Sequence, residues 1–156
     1  MNAITRAELA EVDAPLVTFE LDGRAVVAPA NRTIIEIADA EGVEIPRLCY
    51  KPGLDKVGNC RACMVEIGGE RVLAPSCCRR PTAGMKVTTQ SEEVEKAQRA
   101  MGEFLLANHP LDCPVCDRGG ECELQEVIFD WGDVEERFSE RKNAQPEKYL
   151  SPIVAN

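Results

Sequence analysis

The alternation of apolar and polar residues in the first part of the sequence predicts a pair of strands. Apolar positions alternate with polar ones from Val17 to Asp22, which is the period of a half-buried strand. Asp22 and Gly23 form a dipeptide typical of a two-residue hairpin turn, and residues 24–28 return as the partner strand. We therefore expect a β-hairpin here.

A helix and further strands are predicted after this hairpin. Thr33 and Glu36 have the spacing of a capping box, and Gly42 ends the helix that they begin. Further strand patterns lie at residues 64–67, 71–74 and 86–89. Hairpin, helix and strands in this order are typical of a β-grasp domain, which we place at residues 16–91.

The period becomes helical beyond this domain. Ser91 can cap a helix over residues 92–108, and its apolar positions form one stripe. The stripe consists of Val94, Ala97, Met101, Phe104 and Leu105. After a loop rich in Pro and Gly, apolar residues from Leu124 to Trp131 recur at helical spacing. These two helices predict a small helical domain at residues 92–132.

Neither end of the sequence has a regular pattern. Residues 1–15 form an N-terminal extension, and its charged residues without an apolar run argue against a secretory signal peptide. Residues 133–156 mix charges of both signs with isolated apolar residues, so we expect an extended tail. The predicted fold class is α+β, with a β-grasp domain, a small helical domain and this tail.

Composition and charge argue against several classes of function. The 156 residues carry a net charge of −9 without a Lys/Arg-rich block, whereas phosphate recognition by nucleic-acid-binding proteins needs concentrated positive charge. No apolar run approaches the roughly 20 residues that span a bilayer, so we expect no direct membrane insertion. The sequence also lacks a phosphate-binding glycine loop and a nucleophile–base set, so no catalytic residue is predicted.

Seven of the eight cysteines and the single histidine fall into two sets of four metal donors. The first set consists of Cys49, Cys60, Cys63 and Cys77. The second set consists of His109, Cys113, Cys116 and Cys122. Each set suits one iron–sulfur cluster or one tetrahedral zinc ion. Without export the cysteines stay in a reducing cytosol, where structural disulfides rarely persist.

Spacing favours a cluster over zinc in the first set. One Cys-x2-Cys pair with two distant cysteines is similar to the ferredoxin arrangement for a 2Fe–2S centre, although the first gap is ten residues here instead of the plant-type four. Zinc sites usually contain two close pairs. The second set, three thiolates and one imidazole, suits structural zinc equally well by its chemistry. Cys77 and Cys78 are adjacent, so either could complete the first set.

Three segments carry a closer resemblance to a known family. They are Cys49-Tyr50, Gly58-Asn-Cys-Arg-Ala-Cys63-Met-Val-Glu, and Asn108-His-Pro-Leu-Asp-Cys113-Pro-Val-Cys116-Asp-Arg-Gly-Gly-Glu-Cys122-Glu-Leu-Gln125. These segments closely resemble the N-terminal region of the large iron–sulfur subunit of respiratory complex I, the NADH:quinone oxidoreductase. The similarity covers roughly residues 16–155, and it is most specific from His109 to Cys122.

This resemblance implies two cofactors. The first set would hold a 2Fe–2S cluster, with Cys77 as the fourth ligand and Cys78 outside the site. The second set would hold a 4Fe–4S cluster. Members of the family continue into further cysteine clusters and a large molybdopterin-type domain, so the resemblance implies a fragment or a split protein.

The resemblance also implies a function and partners. Single electrons would pass from the flavin of a neighbouring NADH-binding subunit toward quinone, in an assembly with other peripheral-arm subunits. The location would be peripheral, on the cytoplasmic side of the inner membrane. Related modules occur in NAD-linked hydrogenases and formate dehydrogenases, which is one alternative. A zinc-stabilised binding module without a redox role is an alternative of a different class.

Overall fold

The structure, a computed structural model, describes most of the chain between residues 14 and 155. The described ranges are 14–133, 137–143, 148–150 and 153–155. The predicted N-terminal extension lies outside them up to residue 13, and so do parts of the predicted tail. Within the described ranges, no helix combines the length and apolar character that crossing a bilayer requires.

A five-stranded mixed sheet forms the first region. Its strands are β1 (Leu16–Leu21), β2 (Arg24–Pro29), β3 (Met64–Ile67), β4 (Ala74–Pro75) and β5 (Lys86–Thr88). The order is β2-β1-β5-β3-β4, with β1 and β5 parallel and the other pairs antiparallel. Helix α1 (Ile34–Ala40) follows the first hairpin. This is the β-grasp order that the sequence pattern predicts.

Local sequence explains the first hairpin and the start of α1. Asp22 and Gly23 turn in the left-handed region, at φ 50° and 78°, as a two-residue hairpin requires. The Thr33 N–H donates to the Glu36 carboxylate at 2.8 Å, as in the predicted capping box, and the Thr33 hydroxyl donates to the same carboxylate at 2.9 Å. Both predictions are confirmed.

The second hairpin differs from its prediction. Strand β4 begins at Ala74, whereas the sequence predicts a strand over residues 71–74, and it pairs with only two residues of β3. The Ser76 N–H donates to the Cys63 carbonyl at 2.9 Å, which sets the register so that Ala74 lies opposite Val65. Residues 68–73 therefore form a longer connection between the two strands.

The core of the first region lies between the sheet and α1. Its fully buried side chains are Leu21, Ile34, Ile35, Ile37, Ile45, Val65 and Val87. Two cysteines of the first donor set belong to the same cluster, since Cys63 and Cys77 are only 2% and 1% exposed. Part of the candidate site is thus part of the hydrophobic core.

The second region is helical. It contains α2 (Glu92–Leu106), a 3₁₀ helix (Cys113–Val115) and α3 (Glu123–Trp131). The Ser91 hydroxyl caps α2 by accepting from the Val94 N–H at 3.4 Å, as predicted. In the tail, β6 (Lys148–Leu150) and β7 (Ile153–Ala155) pair antiparallel, which the sequence pattern does not predict.

Helix α2 joins the two regions. The Gln98 side chain donates to the Met64 carbonyl of β3 at 3.1 Å, and Val94 and Gly102 share its buried face. A Cβ on Gly102 would lie 2.9 Å from Ile128 Cδ1, so this glycine permits the close approach of α3. The predicted apolar stripe is only partly correct, because Phe104 is 74% exposed.

Candidate metal centres

The structure places the four cysteines of the first set as two pairs, one on the long loop and one in the core. Cys49 and Cys60 lie on the loop between α1 and β3, and the Cys60 N–H points to Cys49 Sγ at 3.4 Å. Cys63 directly precedes β3 and Cys77 follows β4, and both belong to the buried core of the first region. Only two residues separate Cys60 from Cys63, so the two pairs are neighbours along the chain.

The turn between these pairs is conformationally strained. Arg61 has a φ of 57°, in the left-handed region, which costs a residue with a Cβ roughly 1 kcal/mol. Such strain persists only where the surrounding structure holds it, and the buried Ala62 and Cys63 anchor the end of this turn. The strained turn therefore lies between two cysteines of the first donor set.

Buried backbone groups fix the position of Cys77. The first two N–H groups of α1 donate to the carbonyl groups of Arg79 and Ser76, at 2.8 and 3.2 Å. The Ser76 hydroxyl donates to the Cys63 carbonyl at 2.8 Å, beside the bond from its own N–H. Cys77 is thus held between the start of α1 and the start of β3. No sequence pattern points to the part that Ser76 plays.

The long loop that carries Cys49 and Cys60 is tied to α1 by an ion pair. Lys56 Nζ lies 2.9 Å from Glu36 Oε1, and the Glu36 side chain is buried. Burial alone would raise the pKa of Glu36, but hydrogen bonds from the Thr33 backbone and from Lys56 outweigh it and lower the pKa. One carboxylate therefore both caps the helix and anchors the cysteine loop.

Mutual contact also shifts the pKa values of the thiols. Interaction with the Cys77 thiol lowers the pKa of Cys63, and interaction with Cys63 together with burial raises the pKa of Cys77. Burial raises the pKa of Cys49, whose thiol interacts with that of Cys60. Adjacent thiols resist full ionisation unless a cation compensates their charge, and metal ligands are deprotonated. The chemistry of these four thiols therefore suits a cationic iron or zinc centre.

The four donors of the second set surround one cavity. His109, Cys113, Cys116 and Cys122 all line a cavity of about 170 Å³. Apolar side chains supply much of its remaining wall, namely Leu106, Leu111, Leu124, Ile128 and Phe129. Four soft or borderline donors around an apolar-walled space fit an iron–sulfur cluster of several atoms.

Short helical elements position these donors. The His109 N–H donates to the Leu106 carbonyl at 3.0 Å and thereby ends α2. Cys113 begins the 3₁₀ helix, and the Cys116 N–H donates back to the Cys113 carbonyl at 3.3 Å. Cys122 occupies the N-cap position of α3. Three turns therefore bring donors from fourteen consecutive residues to one cavity.

Two further observations concern the donors. Among the described residues, no group of three or more His, Cys, Asp or Glu side chains is arranged to hold a metal ion. Cys78, the remaining cysteine, is exposed, and its Sγ lies 3.6 Å from Cys77 Sγ. Cys77 and not Cys78 is therefore the buried partner of Cys63.

Known families match both regions of the chain. The buried cysteine pair on a β-grasp sheet and the donor-lined cavity beside it are features of an iron–sulfur protein with two cluster sites. A family model described as a 2Fe-2S iron-sulfur cluster binding domain matches residues 14–92. A second, the NADH-ubiquinone oxidoreductase-G iron-sulfur binding region, matches residues 98–137. The chain belongs to the 2Fe-2S cluster binding domain family, and its second region is a 4Fe–4S binding region.

Curated relatives confirm the resemblance to the large iron–sulfur subunit of complex I. NADH dehydrogenase [ubiquinone] iron-sulfur protein 1, mitochondrial, of Solanum tuberosum is 42% identical over 134 residues, which are 86% of this chain and 18% of the relative. The G subunit of NADH-quinone oxidoreductase of Streptomyces coelicolor is 47% identical over 140 residues, which are 88% of this chain and 16% of the relative. The chain therefore spans less than a fifth of the length of either relative.

A solved structure shares the fold. It is described as an NAD+-reducing [NiFe]-hydrogenase in the H2-reduced state, and it superposes with a TM-score of 0.76 at 30% identity. The match covers 84% of this chain and 55% of that chain. The two regions described here therefore occur together in a protein outside the NADH-quinone oxidoreductases.

Proposed function

We propose that this chain is an electron-relay module of an NADH:quinone oxidoreductase. The observation that carries the proposal is the match of two iron–sulfur family models to consecutive regions, each with a complete set of four donors. Electrons would pass singly from the flavin of a neighbouring NADH-binding subunit toward quinone. The enzymatic activity would thus belong to the whole complex, and this chain would carry the relay alone.

The ligand sets of the proposal are those that the sequence predicts. Cys49, Cys60, Cys63 and Cys77 would hold the 2Fe–2S cluster. His109, Cys113, Cys116 and Cys122 would hold the 4Fe–4S cluster. The contact of the Cys60 N–H with Cys49 Sγ, the shared burial of Cys63 and Cys77, and the common cavity of the second set support these assignments. When bound, the two clusters supply centres that accept and release single electrons.

The residues around each set would tune the site that they form. The Cys60 N–H directed at Cys49 Sγ would stabilise negative charge on that sulfur, which is one means of adjusting a reduction potential. The apolar side chains that line the second cavity would lower the polarity around a cluster held there. A neutral imidazole at His109 would leave the second site one unit less negative than four thiolates would.

The proposal extends to domain organisation and location. A boundary near Ser91, at the start of α2, would separate a first domain at residues 16–91 from a second at residues 92–132. Partners would be the flavin-containing NADH-binding subunit and other peripheral-arm subunits. The complex would hold the chain at the cytoplasmic side of the inner membrane without direct insertion.

A second candidate function is the equivalent relay of an NAD-linked hydrogenase. The structural likeness to the NAD+-reducing hydrogenase at 30% identity favours it over formate dehydrogenase as the alternative. The relay chemistry would be the same in both complexes. The subunits that co-purify with the chain from its native source would distinguish them, because one complex reduces quinone and the other contains a nickel subunit.

Anaerobic purification of the chain tests the proposal. We expect a brown protein with about six iron and about six acid-labile sulfide atoms per chain, the sum of one 2Fe–2S and one 4Fe–4S cluster. Spin-resonance spectra of the reduced protein should then resolve two signals. A colourless protein with stoichiometric zinc would contradict the proposal and support a zinc-stabilised binding module.

A further inference from the structure

Cys78 lies beside the first donor set although neither set uses it. Its Sγ is 3.6 Å from Cys77 Sγ, so the two thiols are in contact despite being consecutive in the sequence. The Cys78 N–H donates to the Pro75 carbonyl at 3.0 Å, which fixes the backbone at this position. The contact between the two sulfurs therefore belongs to an ordered turn after β4.

The loop that carries Cys49 and Cys60 also packs against the Cys78 sulfur. Gly58 is buried with a φ of 61°, and a Cβ added there would lie 2.9 Å from Cys78 Sγ. A larger residue at Gly58 would collide with that sulfur, so the backbone of the loop approaches Cys78 as closely as glycine allows. Cys78 Sγ therefore contacts both the fourth cysteine of the first set and the loop that carries two others.

We propose that Cys78 is a reserve ligand of the first centre, able to bind iron in place of Cys77. The inference rests on the proposed 2Fe–2S site of Cys49, Cys60, Cys63 and Cys77. In the exchange, the bond from iron to Cys77 Sγ breaks and a bond to Cys78 Sγ forms. The Cys78 thiol releases its proton to solvent and the Cys77 sulfur takes one up, so the net charge of the site is unchanged.

The surroundings of Cys78 suit this exchange. Cys78 is exposed and lines an open cavity of about 600 Å³ together with Lys56, Arg79 and Arg80. Solvent can therefore accept and supply the proton. The chain offers this arrangement only at the fourth ligand, because Cys49, Cys60 and Cys63 each lack an adjacent cysteine in the sequence.

Alanine substitutions in the anaerobically purified full chain test the proposal. C77A should keep about six iron atoms with a changed 2Fe–2S spin-resonance signal, because Cys78 approaches iron from another direction. C77A/C78A should lose about two iron atoms, as should C49A, which removes a ligand without an adjacent cysteine. The 4Fe–4S signal should persist in every variant and serves as the internal control for iron loading of the chain.

The outcomes separate this proposal from the proposed function. A C77A variant that loses about two iron atoms, as C49A does, would overturn the reserve role while supporting Cys77 as a ligand of the proposed 2Fe–2S site. Retention of the 2Fe–2S signal in C77A/C78A would overturn it as well, because another group would then be the fourth ligand. A wild-type protein without a 2Fe–2S signal would instead contradict the proposed function.

A second pair of variants covers the case in which C77A does not fold. Serine retains the size of cysteine and offers an oxygen ligand, so we expect C77S to assemble the centre. C77S should show the signal of a site with four sulfur ligands, supplied by Cys78, whereas C77S/C78A should show the shifted signal of an oxygen-ligated site. Identical signals from the two variants would overturn the proposal.

Discussion

The two candidate centres differ in how far the packed secondary structure holds their donor residues in place. In the first, Cys63 and Cys77 are part of the hydrophobic core, and hydrogen bonds from α1 hold the segment around Cys77. In the second, His109 and Cys116 are exposed, and the connection between α2 and α3 contains only a 3₁₀ helix. One site is embedded in a sheet and the other in a loop.

This difference indicates what each site needs from its metal. A sheet with a helix packed on it has a core of its own and can hold its donors in place without a cofactor. A short loop with exposed donors lacks such a core, and metal binding then supplies much of its folding free energy. We therefore expect the first region to be preorganised and the second to fold together with its cluster.

Removal of iron should produce the largest difference between the two regions. Chelation of both clusters should leave the amide hydrogens of β1 and β5 protected, while residues 107–122 exchange near the rate of an unfolded chain, because their donors lose the metal that joins them. Hydrogen exchange followed by mass spectrometry measures both. Equal loss of protection in the two regions would show that the first also depends on its metal.

Loss of one donor of the second set should remove one cluster only. C113A should lose about four of its six iron atoms, because a cluster that lacks one of four ligands is released or not assembled. Iron analysis and the 2Fe–2S spin-resonance signal measure the remainder. V115A, at an exposed position of the same 3₁₀ helix, is the matched control and should keep all the iron. Disappearance of both signals in C113A would mean that the regions are not independent.

Replacement of the histidine should change a potential and not the structure. H109C exchanges a neutral ligand for a thiolate, and the added negative charge should lower the 4Fe–4S potential by at most roughly 170 mV, which corresponds to about 4 kcal/mol for charges 4 Å apart in an effective dielectric of 20. A redox titration followed by spin resonance measures this shift. The 2Fe–2S potential is the control. An unchanged 4Fe–4S potential and spectrum would argue against His109 as a ligand.

The carboxylate that anchors the first cysteine loop should contribute a smaller amount. E36Q should reduce the free energy of unfolding of the first region by about 1–2 kcal/mol, because the charged cap and the contact with Lys56 are both lost. Urea denaturation measures it, with E44Q as the exposed control.

The pH dependence of this effect follows from the lowered pKa of Glu36. Its contribution is complete above the ordinary value of 4.5 and is lost only as the pH falls through the lowered value. The difference between E36Q and the wild type should therefore be the same at pH 7 and at pH 5.5. It should shrink as the pH falls below 4.5, and a difference that stays constant there would mean that the pKa is not lowered.

The ion pair between the two regions should have the smallest effect. Lys51, beside Cys49, pairs with Glu123 at the start of α3, and both side chains are nearly half exposed. Exposed pairs contribute about 0–1 kcal/mol, so K51A should change the stability of the second region by no more than that, and the change should vanish in 1 M salt. Denaturation at two salt concentrations measures it. A loss above 2 kcal/mol would mean that the first region supports the second.

The sequence was sufficient where neighbouring residues determine the structure. The Asp22-Gly23 turn and the capping box of Thr33 and Glu36 depend on the conformations of a few consecutive residues, and both form as predicted. The donors of the second set also lie within one short segment, so their spacing alone places them at one cavity. The β-grasp order followed because β1, β2, β3 and β5 lie where the sequence pattern predicts strands.

Features that depend on distant contacts could not be predicted. The register of β4 and the position of Cys77 depend on the bonds of Ser76 to Cys63, which a one-dimensional pattern does not show. The exposure of Phe104 follows from the packing of α2 on β3 through Gln98, a polar residue that an apolar stripe leaves out. The link from Lys56 to Glu36 likewise joins residues that no periodicity relates.

The parallel pairing of β1 with β5 has a consequence for biosynthesis. The centre of the sheet joins residue 20 to residue 86, so most of the first region must leave the ribosome before its central pairing can form. Until then Cys63 and Cys77 lack the core that encloses them. Cofactor delivery to the first centre is therefore expected late in translation or after it, when the nascent chain has closed this long-range contact.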